Sequence, residues 1–205
     1  QTKVHQTLTL DGADSKYAPE LLLWEPGENL DILVVENAGY PDLTHRRTVF
    51  FVDKKFFIIV YDASGDAVGD VDLHFQLAPG KAIFDKDKFS VVSDFADGWN
   101  VKVKAMKQSG MELNEEEGQV SFQYTKKEQR PAFCFKIRKE QNSQSVRFVT
   151  AIIPYTGSQP VVRLRMTGNS EPGGPELFLK VKSGGISRVI GYELAGANAT
   201  KAQRQ

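Results

Sequence analysis

The chain has 205 residues, 40% of them hydrophobic, with 13 Phe leading the aromatics. That is ample for one well-packed domain and slightly long for two. Lys plus Arg and Asp plus Glu each total 26, a formal net charge of zero, which argues against a dedicated nucleic-acid binder but leaves room for a local basic patch. No run of about 18 apolar residues occurs, so no membrane-spanning helix is expected.

The first residues, Gln1-Thr2-Lys3-Val4-His5, already read as strand-like, and the chain is read as a segment of a longer protein. Ala18 to Trp24 is the one stretch suited to a short helix, although Leu21-Leu22-Leu23-Trp24 fits a strand equally well. Thr48–Val52 and Phe56–Val60 are apolar on both sides and are separated by Asp53-Lys54-Lys55; this predicts a hairpin at the centre of the structure. Leu73, Phe75 and Leu77 then alternate with Asp72, His74 and Gln76, and Val101, Val103 and Ala105 with Lys102 and Lys104. Val120, Phe122 and Tyr124 alternate with Ser121, Gln123 and Thr125, and Phe133, Phe135 and Ile137 with Cys134, Lys136 and Arg138. Such period-two patterning marks strands with one face in a core and the other in water. Phe148–Ile153 reads as a buried strand that Pro154 stops.

Turn signals recur at Asp11-Gly12, Pro26-Gly27, Ser64-Gly65, Pro79-Gly80, Asp97-Gly98, Ser109-Gly110 and Glu117-Gly118. Many short strands punctuated this way predict an all-β fold, an antiparallel β-sandwich of about a dozen strands. Gly168–Pro175 is too rich in Gly and Pro for an element interior. The two strand-like runs beyond it, Leu177–Val181 and Arg188–Leu194, are expected to extend the same sheet system. One domain over residues 1–195 is therefore expected, with a frayed tail over 196–205.

Chemistry-bearing residues are sparse. The single cysteine, Cys134, lies in a strand-like run and reads as a buried, inert thiol. His5 offers an imidazole for a metal, but no second His or Cys stands at ligand spacing in its segment. His45, before Arg46-Arg47, reads as a solvated basic corner, and His74, on the polar side of its strand, as a surface histidine. Glu115-Glu116-Glu117 reads as a solvated loop and Asp85-Lys86-Asp87-Lys88 as an exposed turn. Basic residues cluster at Arg46-Arg47, at Lys102, Lys104 and Lys107, at Lys126-Lys127, and at Arg163 and Arg165. These stripes have the chemistry to bind sulfate, and ordinary strand solubility explains them equally well. Tyr61 and Tyr124 read as core or sheet-face residues, and Tyr17, Tyr40 and Tyr155 as loop residues beside prolines. No phosphate loop, nucleophile elbow or dinucleotide fingerprint is present.

Two segments carry a family likeness. Thr2-Lys3-Val4-His5-Gln6-Thr7-Leu8 resembles the "threonine, two variable residues, HNT-leucine" segment of the heparinase II/III-like polysaccharide lyases. His45–Asp53, continuing through Phe56 to Asp62 and then Val71-Asp72-Leu73-His74-Phe75-Gln76-Leu77-Ala78-Pro79-Gly80, is similar to the hairpin and "LHFHL-x-PG" strand of the same family, in its heparinase III branch. The resemblance runs from Gln1 to about Met166. It implies an enzyme with an N-terminal helical toroid packed on this C-terminal sandwich of the super-sandwich type, heparan sulfate or a related glycosaminoglycan lying between them, and cleavage by β-elimination. It implies that the catalytic residues precede Gln1 and that the chain alone is inactive. By position it makes His5 a ligand of a divalent metal, zinc, whose other ligands also lie upstream, so no metal is expected in the chain alone; Gln6 stands where the family has Asn. A periplasmic or secreted location follows for such an enzyme, because the polymer cannot cross a membrane intact. The alternatives are a non-catalytic carbohydrate-binding or adhesion sandwich and a structural module of another secreted enzyme.

Overall fold

The computed structural model describes residues 1–142, 144–195 and 199–202. In chain order a single 3-10 turn (Thr2–Val4) precedes β1 (Leu8–Leu10), β2 (Pro19–Glu25), β3 (Leu30–Tyr40), β4 (Leu43–Val52), β5 (Phe56–Ser64), β6 (Gly69–Gln76), β7 (Lys81–Asp85) and β8 (Ser90–Asp94). There follow β9 (Trp99–Ala105), β10 (Glu112–Gln123), β11 (Lys126–Lys139), β12 (Val146–Thr156), β13 (Val162–Met166), β14 (Glu176–Ser183), β15 (Ile186–Ala195) and β16 (Ala199–Ala202). The all-β antiparallel expectation holds. The described residues form sixteen strands rather than about a dozen, in three sheets.

Sheet A has the order β1-β6-β11-β10, sheet B β2-β3-β4-β5-β12-β9-β8-β7, and sheet C β13-β14-β15-β16. Sheet B is the middle layer, which explains its two-sided apolar sequences. On β5, Ile59, Tyr61 and Ala63 pack into one core with Leu73, Phe75, Phe133 and Phe135 of sheet A. Phe56, Ile58 and Val60 pack into a second core with Leu177, Leu179, Val181 and Tyr192 of sheet C. Successive side chains of a strand point to opposite faces, so a strand between two layers must be apolar at every position. The β4–β5 hairpin lies in the middle of this sheet, as its sequence predicts.

Several local expectations are corrected. The stretch that could suit a helix is strand β2. Pro154 does not stop its strand: β12 runs to Thr156, with Pro154 opposite Val101 of β9. On its other side the pairing with β5 ends at Ile152–Phe57, so the missing proline N–H faces no ladder. The runs after residue 175 do not extend an existing sheet. They join β13 in a sheet of their own that covers sheet B. Of the expected tail, 196–198 and 203–205 lie outside the described residues, and Ala199–Ala202 pair with β15. Glu115-Glu116-Glu117 is no loop but the middle of β10, paired with β11. The end of that hairpin projects beyond the sandwich, so Phe122 and Tyr124 are 70% and 96% exposed instead of half-buried.

One buried ion pair ties the β13–β14 loop of sheet C to sheet B. Arg147 on β12 donates from Nε and Nη2 to the two carboxylate oxygens of Asp62 on β5, at 2.6 and 2.8 Å. The same guanidinium reaches the carbonyls of Ser170 and Glu171, and the Gly173 N–H donates to Asp62. The planar fork of Arg thus satisfies strand and loop together.

Candidate functional site on the outer face of sheet A

Alternation sends Val71, Leu73 and Phe75 of β6 into the core and Asp72, His74 and Gln76 to the outer face of sheet A. On β11 the outer residues include Cys134 and Lys136, and on β10 Asn114 and Glu116. This polar face is buried, contrary to expectation: His74 is 3% exposed and Cys134 4%.

Register explains the clustering. His74 stands directly opposite Cys134, and Cys134 opposite Asn114, so Glu116 is the diagonal neighbour of Cys134. His74 Nδ1 lies 2.9 Å from a Glu116 carboxylate oxygen, and its Nε2 2.8 Å from the Thr9 hydroxyl of β1. One donor atom each from His74, Glu116 and Cys134 lies within 4.8 Å of the others. Burial, together with the nearby Glu116 and Asp72 carboxylates, pushes the Cys134 thiol up to about 12; the cysteine is buried, as expected. Burial also raises the Asp72 carboxyl. One Asp72 oxygen is buried without a hydrogen-bond partner, and Lys136 Nζ is 3.8 Å from it.

Beside this cluster the 3-10 turn closes over the end of the sheet. Gln76 donates to the Lys3 carbonyl and Gln6 to the Gln76 carbonyl. A shallow pocket of about 290 Å³ lies here between Lys3, Gln76, Glu116 and Arg130. His5 is exposed at the end of the turn, held by its backbone N–H on the Thr2 carbonyl. Among the described residues it joins no group of three metal-type ligands.

The other sequence candidates are dispersed. His45 is no solvated corner: it is buried edge-on to Tyr40, and burial with the nearby Arg47 lowers its pKa to about 4. Arg46 pairs with Glu36, and Arg47 lies over the Tyr61 ring. Tyr40 is buried at the end of β3 and donates to the Leu8 and Ala13 carbonyls, so it is no loop tyrosine. Lys102 and Lys104 donate to the Pro160 and Lys88 carbonyls. Asp85–Lys88 is the expected exposed turn, closed by an ion pair between its ends. On sheet C, Arg163 and Arg165 stand directly opposite Lys182 and Lys180, and all four are exposed. The sequence shows the arginine pair; only register adds the lysines.

Comparison with known proteins decides the family. The sequence model of the heparinase II/III-like C-terminal domain matches residues 1–149. The chain belongs to the heparinase II/III-like family. It is 38% identical over 193 residues to the heparin-sulfate lyase of Pedobacter heparinus, covering 93% of this chain and 29% of that protein. It is 32% identical over 196 residues to the heparin-sulfate lyase of Bacteroides stercoris, covering 95% and 29%. The crystal structure of the heparan sulfate lyase HepC from Pedobacter heparinus superposes with a TM-score of 0.89 at 34% identity, over 97% of this chain and 32% of that one. This heparinase II/III-like chain therefore spans about three-tenths of the length of the lyases it matches.

Proposed function

We propose that the chain is the C-terminal sandwich of a heparan sulfate lyase that cleaves glycosaminoglycan by β-elimination, and that the sandwich forms one wall of the substrate cleft. The observation that carries this reading is the combination of 97% coverage of this chain by a heparan sulfate lyase structure with only 32% coverage in return. Elimination beside a uronate carboxylate needs a base at the C5 proton, an acid at the leaving oxygen and donors that neutralise the carboxylate. We assign these groups to the part of the enzyme beyond this chain.

The surface that meets that part is the outer face of sheet A with the β10–β11 hairpin tip. Exposed Phe122 and Tyr124 beside Lys126 and Lys127 supply an apolar, amphipathic contact. His5 fits the role of one ligand of a shared zinc site, since its ring is exposed and makes no hydrogen bond among the described residues. Such an ion would tie the two parts together, because binding free energy is folding free energy. A periplasmic or secreted location is part of the same proposal.

The test compares the 205-residue chain with a longer protein that contains it, using heparan sulfate and heparin and following the ultraviolet absorbance of the unsaturated uronate product. Activity is expected only from the longer protein. A rise that scales with the chain alone and survives repurification overturns the assignment.

The second reading, a non-catalytic carbohydrate-binding module, draws on the quartet Arg163, Arg165, Lys180 and Lys182. Like charges directly opposite on a strand pair destabilise it, and none of the four is in an ion pair among the described residues. A sulfated chain would relieve that repulsion. Salt-sensitive heparin affinity with no lyase activity in the longer protein favours this reading.

A further inference from the structure

We propose that His74 Nδ1, a carboxylate oxygen of Glu116 and Cys134 Sγ form a zinc-class metal site on sheet A, separate from His5. The proposal is independent of the lyase reading. It departs from the expectation of a metal-free chain.

Three adjacent strands present one donor each on the same face, within 4.8 Å of one another. Zinc bonds of about 2.0–2.3 Å in tetrahedral geometry place donors about 3.3–3.7 Å apart. The 2.9 Å His74–Glu116 contact would open by about half an ångström to admit the ion. Glu116 is the half-buried member of the set and the one with room to move.

The second observation is the hydrogen bonding around the ring. Thr9 is fully buried and its hydroxyl lies 2.8 Å from His74 Nε2. When an ion takes Nδ1, the ring proton sits on Nε2 and donates to the Thr9 hydroxyl; without an ion, Nδ1–H donates to the Glu116 carboxylate and the Thr9 hydroxyl donates to Nε2, so the same two contacts serve both states. Metal-bound histidines donate their far N–H to an acceptor that fixes the ring, usually a carboxylate, a carbonyl or water, and the Thr9 hydroxyl stands in that place here. The third observation is the buried Asp72 oxygen that lacks a hydrogen-bond partner on the same face. Lys136 Nζ, 3.8 Å away, is the nearest cation to it among the described residues.

The donor set selects the ion. Thiolate and imidazole exclude magnesium and calcium as preferred occupants and favour zinc. Neutral imidazole, carboxylate and thiolate carry a charge of −2, which the ion balances, and the thiol proton leaves to solvent on binding. Three protein ligands leave the fourth position open to water or a ligand atom.

Cobalt(II) is the probe. Added to the metal-free chain, it is expected to bind at one equivalent and to give a near-ultraviolet thiolate-to-cobalt charge-transfer band that zinc abolishes. Cys134 is the only cysteine, so that band reports this site with no variant needed. His5→Ala is expected to leave it intact. Cys134→Ser is expected to remove it, and Thr9→Val to weaken affinity by about 10–100-fold. Saturating cobalt without a thiolate band, or a band lost in His5→Ala, overturns the proposal.

Discussion

Replacing Asp62 by Asn tests whether the third layer depends on one buried ion pair. The two carboxylate oxygens accept from Arg147 Nε and Nη2, and one of them also from the Gly173 N–H. An amide presents an NH₂ where one of these oxygens stands, so either orientation sets donor against donor. It also leaves a guanidinium that is 7% exposed without its counter-charge. Breaking a buried pair from one side costs about 3–5 kcal/mol. At about 2–4 °C per kcal/mol for a chain of this size, the melting temperature should fall by about 6–20 °C, read by far-ultraviolet circular dichroism. The double variant Asp62→Leu with Arg147→Leu removes both charges and is expected to cost less than the sum of the two single changes by at least about 2 kcal/mol. The Ser170 and Glu171 carbonyls lose their donors in that variant, so it is not expected to be neutral. A loss below about 1 kcal/mol for Asp62→Asn, or additive single changes, refutes the reasoning.

The pH dependence follows from His45, whose folded pKa of about 4 lies below the ordinary 6.5. The unfolded chain takes up this proton first, so the contribution is complete above pH 6.5 and is lost as pH falls towards 4. At about 1.4 kcal/mol per pH unit it amounts to about 3 kcal/mol, and His45→Phe should flatten the stability profile in that window; an unchanged slope refutes it. Lys139 is fully buried and donates to the carbonyls of Ala67, Gln141 and Asn142. Lys139→Met should therefore cost about 1–3 kcal/mol by thermal melting, and a neutral result would show that water reaches these carbonyls. Arg163→Glu with Arg165→Glu, which sets each new Glu opposite a lysine, should lower the salt needed to elute the chain from heparin, with melting temperature unchanged or raised. Unchanged elution places the heparin contact elsewhere.

Much of the fold is legible in the residues. Alternation in Leu73–Leu77 and Phe133–Ile137, and the two-sided runs Thr48–Val52 and Phe56–Val60, announce strands and a central hairpin before any contact is known. They do so because the pleat has a period of two, and only a strand covered on both faces can be apolar throughout. Misreadings occur where local pattern does not record coverage. Phe122 and Tyr124 alternate like core residues, yet the hairpin tip carries them past the sheet. Pro154 lies mid-strand because its neighbour β5 has already ended.

The site divides the same way. His5 stands out by its place in a family motif, a signal that needs no structure. The cluster of His74, Glu116 and Cys134 spans 60 positions of sequence and contains no motif spacing. The sequence by itself determines which face each of these side chains takes, because alternation along a strand is local. Tertiary structure alone decides that β6, β11 and β10 lie side by side in a register that sets Cys134 opposite His74 and Glu116 on the diagonal. Register is a property of paired strands, fixed by the cores they share and the turns that join them. That is why a histidine, a glutamate and a cysteine, each unremarkable in its own segment, converge on one point.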